Sequence, residues 1–232
     1  MASTRPPWRA AGLIWVKRAG GAICQTSIRG DYGNAREGCL AKTLDIIRGE
    51  HRSIAAILHG MEYLVERVRA RKAKIDPRVF RAMIYYLDTF SERMHHPKED
   101  RFLFSAMRSR GAEAAAVVAD LEKEHAAGGE TLRRLEQRLV RYEEGGDREF
   151  PAFADAVVRF VREYREHMHK EESIAFPLAQ RLLQESDWQA IDRAFAENRD
   201  PLAAERDTRD FEKLFDRIVN LAPPPIGVGP DA

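Results

Sequence analysis

Two stretches constrain this chain more than any others. HHPKEDRFLF (95–104) and HMHKEESIAFP (167–177) each set a histidine four residues before a glutamate in an apolar run. Both lie in long periodic segments with few glycines or prolines, so each reads as helix. At about 100° per residue, His167 falls within about 20° of Phe160, Ile174 and Leu178, with Glu171 one turn on along the same face. His95 shares a face with Ile84 and Phe102, and Glu99 follows one turn later. A charged carboxylate on an apolar stripe is costly unless it is paired or bound to a cation. Two such pairs point to one polar centre inside an apolar core.

The remaining histidines extend the pattern. His51 aligns with Leu44 and Leu58, and His125 with Val118 and Leu132. A lone inward histidine is usually a satisfied core residue. Here each of four helices aims one histidine inward, and two of them add a glutamate. His59, His96 and His169 lie off these stripes and are expected to face solvent or to stand behind the inward residues.

The helical stretches run over about residues 40–72, 77–109, 112–144 and 148–183. Asp76 and Pro77 make a helix start. Pro97 predicts a kink or local rearrangement inside the second helix, and Pro177 a disturbance near the end of the fourth. Gly111 and EEGGD (143–147) are breaks. No strand-like alternation competes. These lengths and short connections predict an all-α, up-down-up-down four-helix bundle over residues 39–184. Residues 185–222 are expected to add C-terminal helices against it, beginning at Ser186 or Asp187 and at Asp200 or Pro201. Residues 223–232 are expected to form a tail.

Composition narrows the function. Of 232 residues, 38 are Lys or Arg and 37 are Asp or Glu. That balance argues against nucleic acid or an anionic membrane as partner. No apolar run approaches the roughly 18 residues of a membrane span. The two cysteines, Cys24 and Cys39, argue against a disulfide framework or a cysteine-rich metal site and suit a reducing, cytoplasmic setting. Residues 1–30 carry five Arg or Lys and no acid, which mimics a transit peptide. Residues 1–38 are read as a loosely ordered leader, or an over-extended start of translation, outside the fold.

Four imidazoles and two carboxylates from four helices suit iron, manganese or zinc. The set His51, His95, Glu99, His125, His167 and Glu171 is too large for one ordinary zinc. It suits two ions, each taking two histidines, with Glu99 and Glu171 bridging. Each ion would keep room for a further ligand.

The stretches EHRSI with His51, HHPKEDRFLF with His95 and Glu99, EKEH with His125, and HMHKEESIAFP with His167 and Glu171 together resemble the hemerythrin-like family, the HHE cation-binding domain. The resemblance covers about residues 43–184. It implies a four-helix bundle around a non-haem di-iron centre bridged by two carboxylates, with manganese or zinc as possible substitutes. It also implies a small ligand, O2, NO or peroxide. Oxygen-carrying hemerythrins have a second histidine one turn after the third-helix ligand. Here that position is Gly129, expected to leave space beside the metals. The four-histidine, two-glutamate set is more similar to bacterial proteins that repair iron–sulfur clusters, and to iron- or oxygen-sensing domains. The repair proteins usually carry an N-terminal cysteine-bearing domain, which Cys24 and Cys39 do not reproduce. The expected function is a non-haem di-iron protein that binds or senses O2, NO or iron. One alternative is a di-iron enzyme or iron donor in oxidative or nitrosative stress defence. Another is a purely structural metal centre, with residues 186–222 binding a partner protein.

Overall fold

The computed structural model describes residues 37–71 and 74–197, together with the separate positions 218, 220, 222 and 226. The expectations for the leader, for most of the second C-terminal helix and for most of the tail lie outside the described residues. Helix α1 spans Glu37–Arg69. Helix α2 covers residues 77–108 and α3 spans Ala112–Gly145. Helix α4 covers residues 150–182, and α5 spans Glu185–Glu197. The first four form the up-down-up-down bundle. Among the described residues no helix is long and apolar enough to cross a membrane.

Local chemistry sets the helix ends. The Asp76 carboxylate accepts the Arg78 amide at 2.9 Å, and Pro77 opens α2 where a missing N–H costs nothing. Gly111 (φ 126°) and Gly146 (φ 65°) supply the backbone that separates α2 from α3 and α3 from α4.

Both histidine-bearing helices depart from regular α geometry. In α2, Leu87–His95 and Glu99–Phe104 are π-helical, either side of the short turn His96–Lys98. In α4, Glu171–Ala175 is π-helical and directly precedes Phe176 and Pro177. Pro97 and Pro177 can donate no hydrogen bond one turn back. The chain answers with i→i−5 bonds, His96 N–H to the Ser91 carbonyl and Phe176 N–H to the Glu171 carbonyl. The rearrangement expected at the prolines is therefore a set of widened turns.

Those turns shift the core face by one residue. A π turn holds about one residue more than an α turn, so each residue advances by less than 100°. Ile174, expected on the His167 stripe, is 49% exposed, and Ala175 and Phe176 are buried instead. Phe102 is only partly buried, while Leu103 and Phe104 fill the core.

The core has two apolar halves. One joins Leu58, Phe80, Phe90, Leu135, Phe153 and Val161, among others. The other joins Leu44, Phe104, Val118 and Phe176 to α5, through Trp188, Ile191 and Phe195. Each large side chain so buried contributes about 1.5–3 kcal/mol. The inward histidines lie between the halves along all four bundle helices. Helix α5 is further tied down by Thr43 donating to Asp192 and by the Arg110–Asp187 pair. Ile218 and Ala222 are buried against the first half.

Candidate metal centre

The six residues singled out by their helical faces meet in one place. His51, His95, Glu99, His125, His167 and Glu171 are all buried, the two glutamates completely. His51 Nε2 lies 3.2 Å from Glu171 Oε2 and 4.0 Å from Glu99 Oε1. His95 Nε2 lies 3.4 Å from Glu99 Oε2. His125 Nε2 is 3.5 Å from Glu171 Oε1 and 3.8 Å from Glu99 Oε2. His167 Nε2 is 3.3 Å from Glu171 Oε1. Each carboxylate thus spans from the His51/His95 pair to the His125/His167 side.

His125 Nε2 and His167 Nε2 share a hydrogen bond at 3.0 Å, but the other groups are close without satisfying one another. Both oxygens of Glu99, both oxygens of Glu171 and His51 Nε2 are buried without a hydrogen-bond partner. Leaving one buried polar group unmade costs roughly 1–3 kcal/mol, and more for a charge. His51, His95 and Glu99 present ligand atoms within 4.8 Å of one another, as do Glu99, His125 and Glu171. Imidazole and carboxylate donors in this arrangement fit iron, manganese or zinc.

A closed ring of carboxylates stands behind the histidines. His95 Nδ1–H donates to Glu50 at 2.8 Å, and His125 Nδ1–H to Asp100 at 2.7 Å. His167 Nδ1–H donates to Glu124 at 2.8 Å, and His51 Nδ1–H to Glu172 at 2.8 Å. Each acid is the chain neighbour of an inward residue on one helix and holds the histidine of the next helix. The ring runs α1 to α2, α2 to α3, α3 to α4, and α4 back to α1. Fixing Nδ1 turns Nε2 inward and makes it a better donor to a cation. Sequence reasoning missed all four acids. Their signal was adjacency: Glu50–His51, Glu99–Asp100, Glu124–His125 and Glu171–Glu172.

Without a cation, protons carry the balance. Burial and the neighbouring Glu171 push the Glu99 carboxyl well above the usual range. Burial acts on Glu171 too, but His167, His125 and His51 outweigh it and hold that carboxyl well below. Burial opposes protonation of His51, yet Glu171 and Glu172 raise it to about 9. Asp100 and Glu171 raise His125 to about 9 against the same penalty. Burial, then the charges of His51 and His96, lower His95 well below its ordinary value.

His59 and His169 are exposed, as expected. His96 does not face solvent. It is 5% exposed, stacks on His125 with ring centroids 4.0 Å apart, and bonds Tyr164 Oη through Nε2 at 3.0 Å. The π turns around it bring it inward. It also presents a ligand atom within 4.8 Å of those of His125 and His167, so it stands as a further candidate donor at that end.

A cleft reaches the centre. About 380 Å³ in volume, it lies among α2, α3 and α4 and is lined by Glu92, His96, His125, Gly128, Tyr164 and His167, among others. Gly129, expected beside the metals, lines a different groove with Tyr85, Asp88 and Arg93. A Cβ there would meet only the Arg133 guanidinium at 3.9 Å. Gly128 is the glycine that lines the cleft, and the Glu92 carboxylate fills the space its Cβ would take, with Oε2 2.5 Å away.

Comparison with known proteins agrees with this geometry. The family model described as the hemerythrin HHE cation binding domain matches residues 42–179. The iron-sulfur cluster repair protein YtfE of Yersinia pseudotuberculosis serotype IB (strain PB1/+) is 28% identical over 134 residues, 56% of this chain and 60% of that protein. YtfE of Pectobacterium carotovorum subsp. carotovorum (strain PC1) is 30% identical over 135 residues, with the same coverage. The chain therefore spans about three-fifths of the length of these relatives. No solved structure matches it. With the family model covering more than half of its length, the chain belongs to the hemerythrin HHE cation-binding domain family.

Proposed function

We propose that this protein holds two non-haem iron ions between His51, His95, His125 and His167, bridged by Glu99 and Glu171, and binds a small ligand there in stress defence. The observation that carries the reading is the set of four buried carboxylate oxygens with no hydrogen-bond partner, faced by imidazole nitrogens from four helices. Manganese or zinc could occupy the same donors. Two cysteines in 232 residues fit a reducing, cytoplasmic setting.

Two iron ions would supply redox chemistry and open positions for O2, NO or peroxide. The chain's own residues do the rest. The carboxylate ring fixes each imidazole. The apolar halves above and below keep bulk water out. The cleft admits a small molecule towards His125 and His167, past Tyr164 and His96, which bond each other at its lining.

A second reading is an iron donor in iron–sulfur cluster repair. It is favoured by the similarity to YtfE and by the cleft that opens one end of the centre. Iron content and stopped-flow spectra of the reduced protein with O2, NO and H2O2 separate these readings. About two iron atoms per chain and a reversible adduct support the binding role. Turnover, or transfer of iron to an apo-cluster protein, supports the second. One tight zinc with no di-iron absorption after reconstitution contradicts both.

A further inference from the structure

Three acids of the ring are partly open to water and one is not. The side chains of Asp100, Glu124 and Glu172 are 36%, 36% and 41% exposed, whereas Glu50 is 3% exposed. A buried carboxylate needs a compensating charge. Glu50 has Lys98, whose Nζ lies 3.2 Å from Glu50 Oε1. Lys98 is itself buried, at 7% exposure, and its ammonium lies 4.4 Å from the centroid of the Phe195 ring in α5. A cation over an aromatic face is stabilised most where water is excluded. Phe195, itself 1% exposed, excludes it here.

A continuous chain of contacts therefore runs from the C-terminal helix to the centre. Phe195 covers Lys98, Lys98 neutralises Glu50, and Glu50 fixes His95. We propose that Lys98 and Phe195 are positioning residues for His95, and that α5 is the stopper that retains the ion at the His51/His95 end. The inference rests on the di-iron reading and adds to it that the two ions leave at different rates, one of them set by a helix outside the bundle. Without Phe195, water reaches Lys98 and the ammonium can turn outward. The Lys98 charge then moves away from Glu50, and the carboxylate holds the His95 ring less firmly. No link of this kind reaches His167, whose partner Glu124 pairs with the part-exposed Lys170.

The test is removal of iron from the loaded full-length protein by a strong chelator, followed optically. The wild type should lose its two ions in two phases. Lys98→Met should accelerate the slow phase by about tenfold, in the range found when groups behind metal ligands are removed. Lys98→Arg should restore it. Phe195→Leu, which keeps the apolar packing but loses the ring, should accelerate the same phase by a smaller factor, and it tests the idea alone if Lys98→Met does not fold. Leu139→Ala, in the other half of the core and outside α5, measures a pure packing effect. An unchanged slow phase, both phases accelerating together, or an equal effect of Leu139→Ala would overturn the inference. A wild type that never binds two iron ions overturns the centre and this inference with it. Two ions leaving at rates indifferent to Lys98 overturn this inference alone.

Discussion

The two ends of the proposed centre present the same kinds of side chain and differ in access. At the His51/His95 end, Glu50 and Lys98 are buried, α5 covers Lys98, and Phe176 lies nearly parallel to the His51 ring at 6.0 Å. At the His125/His167 end, a cleft reaches both histidines past Gly128 and Glu92. Both ends draw on Glu99 and Glu171. The difference teaches that donor identity and accessibility are set separately. Facing helices supply the donors, whereas what packs behind them decides whether the position is sealed or open.

The largest expected effect removes what the ends share. Glu171 approaches His51, His125 and His167, so Glu171→Ala should lower iron content below one per chain. His95→Ala touches one end and should leave about one ion, retained on the cleft side. Metal analysis distinguishes the two, and equal losses would erase the distinction between the ends. Loading itself should stabilise the fold by about 4 kcal/mol when free metal exceeds its dissociation constant about a thousandfold. Equal melting curves for verified metal-free and loaded samples would mean a solvated, peripheral site.

Blocking the cleft comes next. Gly128→Leu would displace the Glu92 carboxylate and fill the space beside His125 and His167. It should slow azide binding by about tenfold, a barrier of about 1.4 kcal/mol, and leave two ions in place. Gly129→Leu, in the other groove, should change the rate little. The reverse order would relocate the entrance.

A pH effect follows from the metal-free state. His51 and His125 rise from 6.5 to about 9 in the fold. Their protonated forms are favoured by folding, so this stabilisation is complete below pH 6.5 and is lost as pH rises through about 9. Metal-free protein should lose stability over that window, and the gap to the loaded protein should widen. Thermal melts at pH 6 and 9 check the sign, and a gap that narrows would contradict it.

The smallest effects concern the histidines off the stripes. His96→Ala removes a ring stacked on His125 and should cost about 1 kcal/mol of stability with iron content unchanged. His169→Ala, on an exposed side chain, should stay within about 0.5 kcal/mol.

Much of this was legible in the sequence because an α-helix repeats so regularly. The alignment of His51 with Leu44 and Leu58, and of His125 with Val118 and Leu132, needed only the 3.6-residue period, and all four apolar neighbours are buried. Reading failed where that period fails. The π turns at residues 87–95, 99–104 and 171–175 exchanged Phe102 for Leu103 and Ile174 for Ala175, and drew His96 inward. Pro97 and Pro177 signalled a disturbance but not its form. The carboxylate ring was illegible for another reason. Its bonds join neighbouring helices, and the handedness of that pairing appears only when the helices are assembled. Gly128 and Gly129 show the same limit, since a one-residue offset decides which groove a glycine opens.

The most direct measurement is an anomalous difference map, collected at the iron edge, from crystals of the loaded protein. Two iron peaks are expected, one among His51, His95 and the two glutamates, the other among His125, His167 and the same glutamates. A single peak, or a peak held by His96 in place of His125, would contradict the two-ended centre.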